Sequence, residues 1–222
     1  MATNGILQIR DLRFAYPQEA PIASGWSTSI GPGLTLLHGD TGSGKSTLLR
    51  VLAGNLPADD GRLTLSGIDL HDDAQGYRRD VFFCEPSTDA FDQVDAHACI
   101  AQLRAGDARF DLARWQFLVE GFGLAPHLHK PMYMLSTGSK RKVWLAAALA
   151  LHRPLTLLDE PAGALDGGSV RCLRQTLAEL ALQPGRAIVI ASSDASGAIG
   201  AIDRVPLAAT ITLPLQAGQV HE

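Results

Sequence analysis

A glycine-rich run between an apolar strand and a helix-forming segment constrains this chain more than any other feature. Leu34-Thr35-Leu36-Leu37 leads into Gly39-Asp40-Thr41-Gly42-Ser43-Gly44-Lys45-Ser46-Thr47, and Ser46 to Ala53 favours a helix. Glycines at 39, 42 and 44 let the backbone turn its N–H groups inward, and the helix opening at Gly44 aims its positive dipole end at the same point. The result is a cradle for the phosphates of a nucleotide, in which Lys45 reaches the terminal phosphates and the Ser46 hydroxyl holds Mg²⁺. A chance match to G-x-x-x-x-G-K-[ST] in a chain of 222 residues has odds on the order of one per cent.

With 46% hydrophobic residues the chain can bury a real core. Its net charge of −4 argues against a surface built for nucleic-acid backbones. The three cysteines, Cys84, Cys99 and Cys172, are scattered with no CxxC pair, which fits reduced thiols in a cytosolic setting. No basic segment followed by an apolar one opens the chain, and no stretch reaches the roughly 18 uncharged apolar residues of a membrane span. Work at a membrane therefore calls for a separate anchor.

Short strands are expected around Leu7–Arg10, Trp26–Ile30, Leu34–His38 and Arg62–Ser66, separated by turn signals such as Gly31-Pro32-Gly33. They form a β-rich flank around the phosphate loop. From about Asp89 to Leu151 the pattern becomes helical, with apolar residues at helical spacing in Ala96–Arg104 and Ala108–Phe122 and an alanine- and leucine-rich helix over Gly138–Leu151. The continuous apolar runs Leu155–Leu158 and Ala187–Ala191, with a helix over about Gly168–Leu182 between them, predict buried parallel strands in an α/β sheet. Thr210–Leu215, containing Pro214, is expected as an edge strand.

Asp159-Glu160 follows one of these strands, where open α/β sheets carry their ligand chemistry. Phosphoryl transfer needs a carboxylate for Mg²⁺ and a second group that orients or deprotonates the attacking water, roles that suit Asp159 and Glu160 in turn.

Taken in order and spacing, Gly39–Thr47, Leu135-Ser136-Thr137-Gly138-Ser139-Lys140-Arg141-Lys142-Val143, Leu155–Pro161 and Ala164-Leu165-Asp166 resemble an ATP-binding cassette ATPase over nearly the whole chain. The resemblance implies one cassette domain over residues 1–222. It would have a RecA-like phosphate-loop NTPase core, an antiparallel β flank and a helical insert of about residues 89–151. It also implies roles for single residues. Tyr16 stands where such cassettes stack an aromatic ring on adenine. Ser136 and the Gly138 backbone match the signature that caps the γ-phosphate of ATP bound to a second cassette, so the implied active unit is a head-to-tail dimer, in the simplest case of identical chains, around two MgATP. Asp166 matches the loop that bridges the two sites.

Two positions depart from the family pattern. Glu85, with Cys84 as the alternative one residue away, replaces a glutamine that touches Mg²⁺, and its carboxylate can still ligate the ion. Ser193 stands where the family carries a histidine at the γ-phosphate, which implies slow hydrolysis. Within the signature, Thr137 and Ser139 replace a glycine and a glutamine. The leading reading is the ATPase subunit of a membrane transporter, cytoplasmic and held at the membrane by a separate permease, with no nucleic-acid partner. Phe91, Trp115, Phe117 and Phe122 are candidates for the permease-facing groove, although most of them fit the core better, since Trp115, Leu118 and Phe122 recur at helical spacing. Two readings stay open beside it: a regulatory ATP-sensing cassette with little turnover, and a soluble cassette ATPase without a transporter.

Overall fold

A computed structural model describes residues 5–83, 88–89, 91–105, 107–192 and 205–218. Glu85, Cys84 and Ser193 lie outside these residues. The fold is α/β, with two five-stranded sheets.

The first sheet has the order β10-β2-β1-β4-β5, formed by β1 (Leu7–Phe14), β2 (Ala23–Ile30), β4 (Asp60–Leu65), β5 (Ile68–Asp69) and β10 (Leu215–Gln216). Its pairings are antiparallel except where β10 joins β2 in parallel. The second is all parallel in the order β6-β7-β8-β3-β9, formed by β3 (Gly33–His38), β6 (Val81–Phe83), β7 (Leu155–Asp159), β8 (Ala187–Ser192) and β9 (Leu207–Thr212). Among the described residues six α-helices join them: α1 (Lys45–Leu52), α2 (Ala74–Arg79), α3 (Ala96–Arg104), α4 (Leu112–Gly121), α5 (Thr137–Ala150) and α6 (Gly167–Leu180).

Every residue of β8 is buried, and β3 and β7 are buried up to their final residues. Both faces of the parallel sheet are covered, which is why these strands read as unbroken apolar runs rather than alternating ones. The period of two divides them between two cores. Leu34, Leu36, Ile188 and Ile190 pack with α3 to α6, whereas Leu37, Val189 and Ala191 pack with α1 and the first sheet.

One expectation changes. The strand predicted over Thr210–Leu215 is two strands in different sheets: β9 edges the parallel sheet, the cis Leu213–Pro214 peptide interrupts the run, and β10 continues against β2. Pro214 cannot donate to a ladder, so pairing stops there and resumes elsewhere. Of the four aromatic residues set aside for a groove, Trp115 and Phe122 are core, Phe117 is exposed, and Phe91 is half-buried with its ring edge-on to Trp144. The sequence also gave no signal for α2, whose six residues are too few for a periodic pattern; its N-cap, Asp73, accepts from Gly76 N.

Candidate nucleotide-binding site

The phosphate loop leaves the C-terminal end of β3 and enters α1, at the sheet edge where β7 and β8 also end. Gly42 and Gly44 have φ of 82° and 96°, the left-handed region that costs glycine little. At Gly44 a side chain is excluded twice, since a Cβ there would come within 2.6 Å of Ile22 Cδ1. The other five α-helices begin with a capping side chain: Asp73, Asp95, Asp111, Ser136 and Asp166 each accept from an amide of their own first turn. Helix α1 begins at Gly44 with no side-chain cap and no acid in its first turn. Its leading amides therefore have no intrahelical acceptor and no carboxylate competing for them, which suits an anion.

Lys45 is buried, and its ammonium donates to Gly39 O at 2.8 Å and Asp40 O at 2.7 Å, so it folds back across its own loop. The Ser43 hydroxyl is buried in the same loop without a hydrogen-bond partner among the described residues. An orphaned donor beside a buried cation and uncapped amides fits a phosphate. Thr41, Gly42, Gly44, Lys45, Ser46 and Thr47 line one open pocket of about 400 Å³ with Asp159 and Glu160. Asp40 is exposed at the crest of the loop and accepts from Ser43 N at 3.1 Å.

Asp159 ends β7 and lines the pocket together with Ser46. Burial raises its carboxyl above the ordinary aspartate value and the charge of Glu160 adds to this, while the Ser46 hydrogen bond and the charges of Lys45 and Arg141 oppose it. A hydroxyl and a carboxylate lining one pocket, the carboxylate under net pressure toward neutrality, form a donor set that a divalent cation would relieve, so Mg²⁺ fits here. Glu160 follows with φ of 44°, and its amide donates to Ala191 O of β8 at 3.0 Å. A positive φ at a non-glycine residue is a local strain, held here by the pairing of β7 with β8.

Tyr16 follows β1, half-exposed, with its ring edge-on to Phe14 at 5.2 Å and its hydroxyl 3.3 Å from Thr47 Oγ1. The predicted adenine-facing ring thus stands beside the first turn of α1.

Ser136 and Gly138 are not among the residues lining the phosphate-loop pocket. Ser136 is exposed at the start of α5, where its Oγ accepts from Ser139 N and donates to the Ser139 hydroxyl. A Cβ at Gly138 would meet Ala164 O at 2.6 Å, so glycine lets α5 press against the loop after Glu160. Asp166 serves its own chain as the cap of α6 and partner of Lys142 at 2.6 Å, and that lysine holds its carboxyl well below the usual range.

The sequence reading gave no role to Lys140, Arg141 and Lys142, although a signal was present. Three consecutive cations in the first turns of a helix oppose its dipole and call for local acceptors. Lys140 pairs with Asp92 at 2.5 Å, Arg141 donates to Gly163 O, and Lys142 reaches Phe122 O as well as Asp166. Arg141 and Lys142 bind the start of α5 to the loop between β7 and α6, and Lys140 binds it to the segment before α3.

Residues 25–163, more than half of the chain, match the family described as ABC transporter. The energy-coupling factor transporter ATP-binding protein EcfA2 of Methanospirillum hungatei is 30% identical over 214 residues, covering 91% of this chain and 52% of its own. The cytochrome c biogenesis ATP-binding export protein CcmA of Pseudomonas aeruginosa is 36% identical over 155 residues, covering 67% and 74%. The chain thus spans about half the length of the first relative and three quarters of the second. A solved ATP-binding subunit of an ABC transporter superposes with a TM-score of 0.82 at 20% identity, over 98% of this chain and 89% of that one, a likeness of fold. With its phosphate loop, acidic strand end and signature helix in family order, the chain belongs to the ABC transporter family as one of its ATP-binding cassettes.

Proposed function

We propose that this chain, acting as one cassette domain with the helical insert at about residues 89–151, binds MgATP and hydrolyses it in a head-to-tail dimer that drives a separate membrane permease. The observation that carries the reading is the convergence of Lys45, Ser46, Asp159 and Glu160 on one pocket beneath uncapped amides. Those amides and Lys45 take the negative charge of the triphosphate, and Tyr16 faces the base. Ser46 and Asp159 would hold Mg²⁺, with Glu85 as a third candidate, and the ion when bound neutralises charge on the phosphate oxygens. Glu160 takes the proton of the water that attacks the γ-phosphorus as the bond to the β-γ bridging oxygen breaks. Ser193 offers a hydroxyl where a histidine would offer a longer and chargeable donor, so turnover is slow.

The exposed signature supports the dimer. Ser136 and Gly138 stand apart from their own phosphate loop and would complete the partner's. Permease contact is supported by the cleft between β6, β7 and α5 that includes Phe82, Asp92 and Trp144, in which a short helix of the membrane subunit would seat. No helix among the described residues is long and apolar enough to cross a membrane. In this reading the cassette works at the cytoplasmic face through that subunit.

Phosphate release by purified protein tests this, with Glu160→Gln lowering the rate at least about a hundredfold while MgATP affinity holds. A wild-type rate indistinguishable from that of Glu160→Gln, with binding intact, would favour an ATP-sensing cassette, which Glu85 and Ser193 make the second reading.

A further inference from the structure

Arg186 is a fully buried cation that the proposed chemistry leaves without a task. It precedes β8 with 2% of its surface exposed, and no carboxylate pairs with it among the described residues. Burial, with the charge of Arg114 adding, pulls its guanidinium down to about 10, still charged at neutral pH. Removing such a cation from water costs several kcal/mol, and an apolar side chain of similar size is often no worse for stability. Its partners show what offsets that cost. The guanidinium donates to Ala148 O at 2.6 Å, Leu149 O at 3.4 Å and the buried Thr156 hydroxyl at 2.9 Å.

Those carbonyls belong to the buried, open end of the signature helix's hydrogen-bond ladder. Of the last four in α5, Ala147 O accepts from Leu151 N and Ala150 O from Asp111 N, which leaves Ala148 O and Leu149 O to Arg186. A cation at this end also meets the negative pole of the helix. Thr156 lies in β7, the strand that ends at Asp159. One guanidinium thus ties the foot of the helix bearing Ser136, about 20 Å from that serine along the helix axis, to the strand bearing the metal-binding carboxylate.

We infer that Arg186 is a positioning residue that fixes the tilt of α5 against β7 and so sets whether Ser136 and Gly138 meet the nucleotide of a partner cassette. The inference rests on the proposed dimeric reading. It is tested on the full chain with Arg186→Lys, which keeps the charge but loses the fork, and with Arg186→Met. MgATP affinity by calorimetry stays within about twofold of wild type, while ATP-dependent dimer formation in a Glu160→Gln background weakens about tenfold in Arg186→Lys and more in Arg186→Met. In the catalytic form kcat falls by a similar factor with KM unchanged. Should Arg186→Met fail to fold, the lysine variant decides alone. A folded Arg186→Lys with wild-type dimer formation and kcat, or with a lowered melting temperature and nothing else, overturns the inference. Wild-type protein that binds no MgATP, or binds it without dimerising, defeats the dimeric reading before any Arg186 variant is made.

Discussion

Two helix N-termini in this molecule face opposite requirements. Helix α1 starts at Gly44 with no capping side chain, whereas α5 starts at Ser136, whose hydroxyl already serves Ser139. The first site is complete within one chain: its amides, Lys45, Ser46 and Asp159 meet in a single pocket. Ser136 and Gly138 of the second do not line their own phosphate-loop pocket, and its cations are fastened to Asp92, Gly163 and Asp166. A site built to seize an anion leaves its donors uncapped. In the proposed dimer, one that arrives at another molecule's anion satisfies its own helix first and is tied from behind.

The largest break in this contrast comes from Lys45→Ala. Loss of a buried charge-assisted donor set is expected to weaken MgATP binding by about 3 kcal/mol, roughly a hundredfold, as read by calorimetry. Retained affinity would remove the lysine from the phosphate site.

Ser136 sharpens the other side. Ser136→Ala is expected to lower phosphate release about tenfold through a lost bond to the partner's nucleotide, and to cost about 1 kcal/mol of stability through the lost cap. Ser136→Asp restores the cap and the melting temperature but leaves turnover low, because it brings a carboxylate to phosphate. If melting temperature and rate recover together, the residue acts only within its own helix.

Tyr16→Leu should weaken ATP binding by about 1 kcal/mol, some fivefold, and leave affinity for inorganic triphosphate unchanged. Equal losses for both ligands would place the ring on the phosphates rather than the base.

The smallest effect falls on stability without nucleotide. Because burial and Glu160 raise the Asp159 carboxyl above its unfolded value, the folded chain loses stability as pH rises through the raised value. Asp159→Asn should therefore melt slightly above wild type at neutral pH, and the gap should close in acid as the wild-type carboxyl takes up its proton. Thermal melts across pH read this directly. A gap that widens in acid would reverse the sign assigned to the shift.

Much of the fold was legible because its central strands carry one unbroken apolar signal. Leu34–Leu37, Leu155–Leu158 and Ala187–Ala191 emerge as β3, β7 and β8, the positions on which the site is built. The antiparallel flank was readable at three strands, β1, β2 and β4, and blurred elsewhere, since β5 and β10 have two residues each and no period to detect; the fourth strand expected there, Leu34–His38, is β3 of the parallel sheet. Helix α4 starts at Leu112, four residues after the sequence pattern suggested, because Asp111 caps it with a bond to Arg114 N that hydrophobic spacing does not register.

The sequence by itself determined which chemistry the loop could hold, since glycines, a lysine and a hydroxyl at fixed spacing leave the backbone few other uses, and local order decides such a cradle. Only the tertiary structure decided what each charge is for. Asp166 proved to be a helix cap and a clasp for Lys142, and Arg186 a bolt between α5 and β7. These partners lie 24 to 38 residues apart in the chain, and a charge's worth depends on what burial brings beside it.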